Sequence, residues 1–318
     1  MGLQEGETFD GRYSIEALLG RGGMGEVWRA TDDDGRKVAL KVLLEKTARK
    51  PDLVKRFERE ARIAESLRSP FVCELVRAGR SKSGELYLVL ELLVGESLGD
   101  RLKREGYVGF GELAPIVDDV FEGLIAAHRL GVVHRDLKPA NVFLSEDAEG
   151  RTRAKILDFG ISKLLPRGRS GDERSLTNFD ATLGSFAYMA PEQVRGAARA
   201  DERADIYAVG ALTFRALAGR LPFESTSAAE LVSAKMERDP PSLEEVTTER
   251  WPSAIEAFVH RSLARRREER FGSAAEAQAA WRSISSSHRR AIAQVSKDVA
   301  ALEPSKTSLT MTAIPDDE

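Results

Sequence analysis

The first third of the chain alternates short apolar runs with turn residues, as expected for a small sheet. Residues 13–30 and 37–44 are β-prone, and the turn-forming run 32–35 (Asp-Asp-Asp-Gly) lies between them. Residues 53–67 differ, because Leu, Phe and Ala recur there at the three- and four-residue spacing of a helix. Residues 86–93 are again a short apolar run. The pattern predicts several strands and one helix in this part of the chain.

After position 93 the spacing of apolar residues is mostly that of helices. Residues 110–130 keep a helical period and are followed by Gly131, a residue type that commonly terminates a helix. Further segments with helical spacing are 205–218, 254–263 and 274–281. We therefore expect an α+β protein with two lobes, in which a small β-rich lobe with one helix precedes a larger, mostly helical lobe.

The predicted folded domain spans residues 9–283, with lobes of about 9–93 and 94–283. Residues 1–8 are predicted to be an N-terminal extension. Beyond position 283 the apolar spacing fades, and the final residues are rich in Ser, Thr and acidic side chains without an aromatic. Such a composition predicts a disordered tail over 284–318, with a short helix at 289–302.

Composition excludes several classes of function. The 318 residues are 42% apolar and 31% charged with a net charge of -3, which argues against nucleic-acid or anionic-membrane partners. A single cysteine, Cys73, and four histidines leave no disulfide framework and make a structural zinc site improbable. No signal peptide or membrane segment is expected, since the longest apolar runs are short and are interrupted by Glu91. We expect a cytoplasmic protein.

The densest chemistry lies in residues 134–141 (His-Arg-Asp-Leu-Lys-Pro-Ala-Asn), between two apolar runs. This arrangement predicts a polar loop held between strands. An Asp followed five residues later by an Asn offers a base and a metal-binding amide, at the spacing of the phosphoryl-transfer loop H-R-D-x-x-x-x-N. A lone Asp or Asn in a loop usually serves only the turn, but eight residues in register make that reading improbable.

A glycine-rich run, 20–27, reads G-x-G-x-x-G-x-V. It is followed by β-prone residues rather than a helix, so the glycines are expected at the tip of a hairpin, where backbone amides can approach phosphate oxygens. In the next strand Lys41 stands among apolar residues, which is costly unless the charge is paired. Glu60 projects near the buried face of the predicted helix and is the expected partner of Lys41.

These features, together with 158–160 (Asp-Phe-Gly) and 190–192 (Ala-Pro-Glu), resemble a eukaryotic-type protein kinase. The six elements occur in order, and the resemblance covers about residues 9–283. Residues 22–27 and 190–193 are most similar to the bacterial, Hanks-type serine/threonine branch. The resemblance implies the two-lobed protein-kinase-like fold, with a small N-lobe and a larger C-lobe.

Roles follow by resemblance, position by position. Lys41, steadied by Glu60, would hold the α- and β-phosphates of ATP, and Asp136 would orient the substrate hydroxyl and accept its proton. Lys138 would steady the γ-phosphate. Magnesium, with manganese as an alternative, would be held by Asn141 and Asp158. Further expected ATP contacts are Leu19, Gly20, Gly22, Gly25, Val27, Ala39, Leu90, Glu91 and Leu93.

The resemblance also implies protein substrates carrying Ser or Thr, because Lys138 is typical of that specificity, and Ser185 keeps the hydroxyl at a position where the family usually has Thr. Arg135 marks kinases that are switched by activation-loop phosphorylation, for which Thr177 and Thr182 are the expected sites and Ser175 a weaker one. A second copy of the chain would serve as partner for phosphorylation in trans. A phosphothreonine-reading protein could dock at tail residues Thr307, Thr310 and Thr312, although a solvated tail is the simpler reading.

Two structural roles are implied as well. Glu192 and Arg270 resemble the buried ion pair that braces the C-lobe, and Asp205 resembles the residue that holds the catalytic-loop backbone. Two alternatives keep the fold but change the activity: a scaffold that binds ATP without transferring phosphate, and a kinase acting on small molecules. The 190–192 motif argues against the second, since it belongs to a peptide-docking surface in protein kinases.

Overall fold

The computed structural model describes residues 3–22, 25–43, 51–147, 149–159, 186–195, 200–247 and 249–302. Within these, side chains are not described at 51–53, 56, 60, 195, 289 and 291–302. The described residues form the two expected lobes: a six-stranded sheet with one helix, and a helical unit that carries a three-stranded sheet.

The strands of the N-lobe sheet are β1 (Thr8–Phe9), β2 (Tyr13–Gly22), β3 (Gly25–Thr31), β4 (Lys37–Leu43), β5 (Leu75–Arg80) and β6 (Leu86–Glu91). The sheet is antiparallel throughout and has the strand order β1-β2-β3-β4-β6-β5. Helix α1 (Pro51–Ser66) packs on one face through Phe57 and Ala61, which contact Leu43, Leu86 and Leu88. Val38 and Leu40 alternate with these positions and belong to the core on the other face. Lys41 therefore points to the α1 side of the sheet.

The C-lobe is built around two long buried helices, Phe110–Arg129 and Arg203–Ala218. Its helices are α2 (Leu98–Glu105), α3 (Phe110–Arg129), α4 (Pro191–Arg195), α5 (Arg203–Ala218), α6 (Ala228–Glu237), α7 (Leu243–Thr247), α8 (Ser253–Ser262) and α9 (Ala274–Leu302). Three short strands, β7 (Glu96–Ser97), β8 (Val142–Glu146) and β9 (Thr152–Ile156), form an antiparallel sheet in that order. Helix α9 is anchored by Trp281, which is fully buried and donates to the Ala114 carbonyl at 2.9 Å.

The backbone of the lobes is joined between α1 and β5. Ile156, the last residue of β9, donates to the Phe71 carbonyl and accepts from the Cys73 amide, both at 2.9 Å. Val72 lies opposite Ile156 in a parallel bridge and belongs to the C-lobe core. This joint, residues 71–73 with Ile156, fixes the end of α1 next to the end of β9.

The secondary structure at both ends of the chain extends beyond the predicted domain limits of 9 and 283. The Glu7 carbonyl accepts from Ile15, so the last residues of the predicted extension 1–8 pair with β2. At the other end α9 runs without a break to Leu302, where the sequence pattern predicts one helix before position 283 and another at 289–302. Residues 303–318 lie outside the described part of the chain. Across the described residues no helix is long and apolar enough to cross a membrane.

Candidate active site

The backbone of the loop 134–141 is held by one buried carboxylate. Asp205, near the start of α5, accepts from the amides of His134 and Arg135, both at 2.8 Å, and from the His128 ring at 2.9 Å. Arg135 has a positive φ of 66°, which a non-glycine residue adopts only under such constraint. Complete burial alone would raise the pKa of Asp205, but the hydrogen bond and charge of His128, with His134 and the Arg135 amide, lower it overall.

Asp136 lies in the same loop with two of its predicted partners. The Asn141 amide nitrogen donates to the Asp136 carbonyl at 2.8 Å, and the Lys138 ammonium lies 3.1 Å from the Asp136 carboxylate. A single 3₁₀ turn, Pro139–Asn141, provides this geometry, since it places Asn141 back under the loop before β8 begins. The three side chains predicted from the loop motif are thus brought together.

Asp158 follows β9 and is fixed from both sides. The Leu157 amide donates to the Asn141 carbonyl at 2.8 Å, and the Leu157 carbonyl lies 2.9 Å from the His134 ring. The ring of Phe159 packs edge-on against His134 at 4.7 Å. Asp158 itself has a positive φ of 58°. The strained turn therefore orients its carboxylate relative to the loop that carries Asp136.

Lys41 reaches this carboxylate from the other lobe. Its ammonium lies 2.7 Å from Asp158, and the lysine is only 7% exposed, so the buried charge has a partner. The predicted partner was Glu60; that residue lies on α1, but its side chain is outside the described set. The contact between Lys41 and Asp158 links the N-lobe sheet directly to the C-lobe loop.

The remaining predicted nucleotide contacts lie on or near the same sheet face. Val27 pairs with Lys41 across β3 and β4, and Ala39 pairs with Leu90 across β4 and β6, so these four side chains share one face. Gly22 pairs with Gly25 at the described end of the β2–β3 hairpin, and Gly20 pairs with Val27 nearby, so the glycines lie in a hairpin, as predicted. Gly25 requires glycine, because its φ is 151° and a Cβ there would overlap the Val42 carbonyl. Leu19 is half exposed beside the hairpin tip, and Leu93 is half buried after β6.

Glu91, one of the predicted nucleotide contacts, has a side-chain contact that was not predicted. Both of its carboxylate oxygens lie 2.7 Å from the Lys155 ammonium of β9, and one accepts from the Glu74 amide at 2.8 Å. The side chain thus braces one lobe against the other. Contact between Glu91 and a nucleotide would have to use its backbone.

The C-lobe brace expected from the sequence is present. Arg270 is 2% exposed and forms two parallel hydrogen bonds with Glu192, at 2.8 and 2.9 Å. One residue further on, Gln193 accepts from the Ala190 amide and donates to the Arg135 carbonyl at 2.8 Å. This link to the catalytic loop was not predicted, and its sequence signal is only an amide side chain beside the 190–192 motif. Gly160, Ser175, Thr177, Thr182 and Ser185 lie outside the described residues.

The chain belongs to the protein kinase domain family: the family model with that description matches residues 13–282. Among curated proteins, serine/threonine-protein kinase pkn3 of Myxococcus xanthus is 35% identical over 90% of this chain and 52% of its own length. Serine/threonine-protein kinase PknA of Mycobacterium tuberculosis is 34% identical over 76% of this chain and 55% of its own. The chain thus spans about half the length of these relatives.

Solved structures give the same class. The crystal structure of the Mycobacterium tuberculosis PknI kinase domain aligns with a TM-score of 0.68 at 27% identity, covering 89% of this chain and 99% of that one. The two-lobed protein kinase fold expected from the sequence is confirmed. Proteins of this family use ATP and a divalent metal ion.

Proposed function

We propose that this chain is a serine/threonine protein kinase that transfers the γ-phosphate of ATP to Ser or Thr hydroxyls of proteins. The observation that carries the proposal is the convergence of Lys41, Asp158 and the loop holding Asp136, Lys138 and Asn141. Phosphoryl transfer needs placed cations and hydrogen-bond partners more than covalent chemistry, and this set supplies them. The serine/threonine-protein kinase names of the relatives support the specificity.

The donor set suits a hard divalent cation. The Asn141 nitrogen donates to the Asp136 carbonyl, which leaves the amide oxygen as its metal-binding atom, and Asp158 adds a carboxylate that is one-third exposed. In the described part of the chain no group of three or more His, Cys, Asp and Glu side chains could hold a metal alone. We therefore assign magnesium, or manganese, to Asn141 and Asp158 together with ATP phosphates. When bound, the ion would neutralise charge on the β- and γ-phosphates.

The chain's own side chains then have separate tasks. Lys41, steadied by Glu60, would bind the α- and β-phosphates from the sheet face shared with Val27, Ala39 and Leu90. Asp136 would orient the substrate hydroxyl and accept its proton. Lys138, 3.1 Å from Asp136, would stabilise the γ-phosphate as its charge spreads during transfer.

Regulation by phosphorylation of the loop 160–185 is part of the proposal. The Arg135 guanidinium donates to the Ala200 carbonyl, and its Nε is buried without a hydrogen-bond partner among the described residues. A phosphate on Thr177 or Thr182, or on Ser175, would provide an acceptor. A second copy of the chain is the proposed partner for this reaction, and bacterial signal transduction the proposed setting. We place the reaction in the cytoplasm, with its pool of ATP. A phosphothreonine-reading protein that docks at the tail is a further proposed partner.

The test is phosphate transfer from labelled ATP with magnesium, using wild type, Asp136→Asn and Lys41→Met, followed by mapping of the label by mass spectrometry. We expect label on Ser or Thr in the wild type, falling at least about a hundredfold in each variant, and no transfer when EDTA removes the metal. Phosphate found only outside 170–185 would refute the loop sites. ATP binding without any transfer would instead favour the scaffold alternative.

A further inference from the structure

Lys235 is a buried cation that the proposed chemistry does not use. It lies on α6, is 2% exposed, and donates to three backbone carbonyls: Phe186 at 2.8 Å, Ala187 at 2.6 Å and Met189 at 2.9 Å. All three belong to residues 186–189, the short segment before α4. We call this arrangement the Lys235 clamp.

Burying an ammonium group is expensive, so its contacts must match it closely. An ammonium has three N–H donors, and the clamp offers three carbonyl acceptors. The Tyr207 ring lies 5.2 Å from the same nitrogen and adds a cation–π contact. A neutral lysine has only two donors and would leave one carbonyl unsatisfied. The clamp is therefore complete only while Lys235 is protonated.

The clamped segment is connected to the catalytic loop. Directly after Met189, the Ala190 amide donates to Gln193, and Gln193 donates to the Arg135 carbonyl next to Asp136. Phe186 and Tyr188 are half buried, so the segment also presents partly exposed aromatic groups. An acceptor peptide that reaches Asp136 would approach along this surface.

We propose that Lys235 is a positioning residue for the protein substrate: by holding three carbonyls of 186–189 it fixes the surface that places the acceptor segment near Asp136. The inference rests on the proposed kinase function and deepens it. The contacts of Lys235 are with segment 186–189 and the Tyr207 ring, which are not among the residues assigned to ATP or the metal ion, so its loss should weaken binding of the peptide and leave binding of ATP unchanged.

The clamp also predicts a pH response. Burial lowers the pKa of Lys235 to about 7 from its usual 10.5. Two groups on the packed elements matter here. They are Tyr207 of α5, whose pKa is raised by burial, and Arg270, whose guanidinium lies 4.9 Å from the centre of the Tyr207 ring and is paired with Glu192. Deprotonation as the pH rises through this pKa removes one of the three donors. The KM for a peptide should therefore increase from pH 6 to pH 9.

The experiment compares wild type with Lys235→Met, Lys235→Arg and Arg238→Met, measuring KM for a Ser/Thr peptide and for ATP separately. Arg238→Met is the matched control, because it removes a positive charge from the exposed end of the same helix. We expect Lys235→Met to raise the peptide KM about tenfold, as for the loss of one charged hydrogen bond. The KM for ATP should match the control. Lys235→Arg, charged throughout, should show no increase in peptide KM with pH.

A folded Lys235→Met variant whose peptide KM equals that of Arg238→Met would overturn the inference. If Lys235→Met does not fold, the pH series decides: a wild-type peptide KM that is flat from pH 6 to pH 9 overturns it, and an increase absent from Lys235→Arg supports it. Hydrogen exchange of the 187–190 amides tests the clamp independently of catalysis, since faster exchange is expected in Lys235→Met. If the wild type transfers no phosphate, this counts against the proposed function. The hydrogen-exchange comparison would still test whether Lys235 fixes segment 186–189.

Discussion

Replacing Arg270 with Met should destabilise the C-lobe more than any comparable surface change. All five N–H donors of Arg270 are used: two on Glu192 and one each on the carbonyls of Ala264, Arg203 and Arg265. The Arg270 side chain has no exposed area, and Glu192 has 14%. Arg270→Met would therefore leave a mostly buried carboxylate without its cation.

Removing one partner of a buried ion pair costs about 3–5 kcal/mol, because the other charge stays desolvated and unpaired. For domains of 150–250 residues, 1 kcal/mol shifts Tm by about 2–4 °C, so a decrease of roughly 6–20 °C is expected. Replacing Glu192 with Met as well should recover at least half of the loss, since no unpaired charge would then remain. The rest of the lost stability would stay lost, because the carbonyls of Ala264, Arg203 and Arg265 would still lack their donor.

Thermal unfolding monitored by intrinsic fluorescence would measure this, with Arg220→Met as the control. Arg220 pairs with Glu224 at 3.0 Å, but both side chains are about half exposed, and such pairs contribute only about 0–1 kcal/mol. The reasoning is refuted if Arg270→Met and Arg220→Met unfold within about 2 °C of each other. It also fails if the Glu192→Met, Arg270→Met double variant is as unstable as Arg270→Met alone.

Two further predictions follow from buried groups near the active site. Asp205→Asn should lower kcat about a hundredfold while retaining ATP binding, because an amide side chain has one acceptor oxygen where the carboxylate uses two for the amides of His134 and Arg135. Steady-state kinetics with a nucleotide-binding assay would check this, and an unchanged kcat would contradict it. Cys73 should react slowly with thiol reagents at pH 8 in the native protein and rapidly in urea, because burial, aided by Glu91, raises the pKa of its thiol to about 12; equal rates would contradict the prediction.

Local elements were well predicted because their signals are local. The helix expected at 53–67 is observed at Pro51–Ser66, and the strand expected at 37–44 at Lys37–Leu43. Strand β5 was not predicted, since Leu75–Arg80 contains two arginines and a glycine, a composition tolerated at the edge of a sheet. Helix α9 continues through the serines after Trp281, where apolar spacing fades, with Ser285 donating to the Trp281 carbonyl.

Long-range partners were harder to predict. The motif placed Lys41 and Asp158 in one site, but only the folded chain shows a direct contact between residues 117 positions apart. Glu91 was assigned to the nucleotide because of its position, but the contact of its side chain with Lys155 was not predicted. Lys235 follows Leu231 by four residues and so shares its buried face. Nothing in the sequence shows that three backbone carbonyls of segment 186–189 accept hydrogen bonds from Lys235. Every residue has a backbone carbonyl, so the sequence does not indicate which carbonyls accept a hydrogen bond from a distant side chain.

The joint between residues 71–73 and Ile156 determines which rotations of α1 the site can tolerate. It lies beyond the C-terminal end of α1 and two residues before Asp158, so a rotation about it moves Asp158 least. Helix α1 has sixteen residues and is about 24 Å long, so a turn of about 10° about its end at Ser66, next to the joint, displaces its first residue by about 4 Å and Glu60 by about 1.6 Å. The latter exceeds the tolerance of a hydrogen bond. A force applied to the far end of α1 would thus move Glu60, the residue predicted to pair with Lys41, while Asp158, to which we assign the metal ion, stays in register.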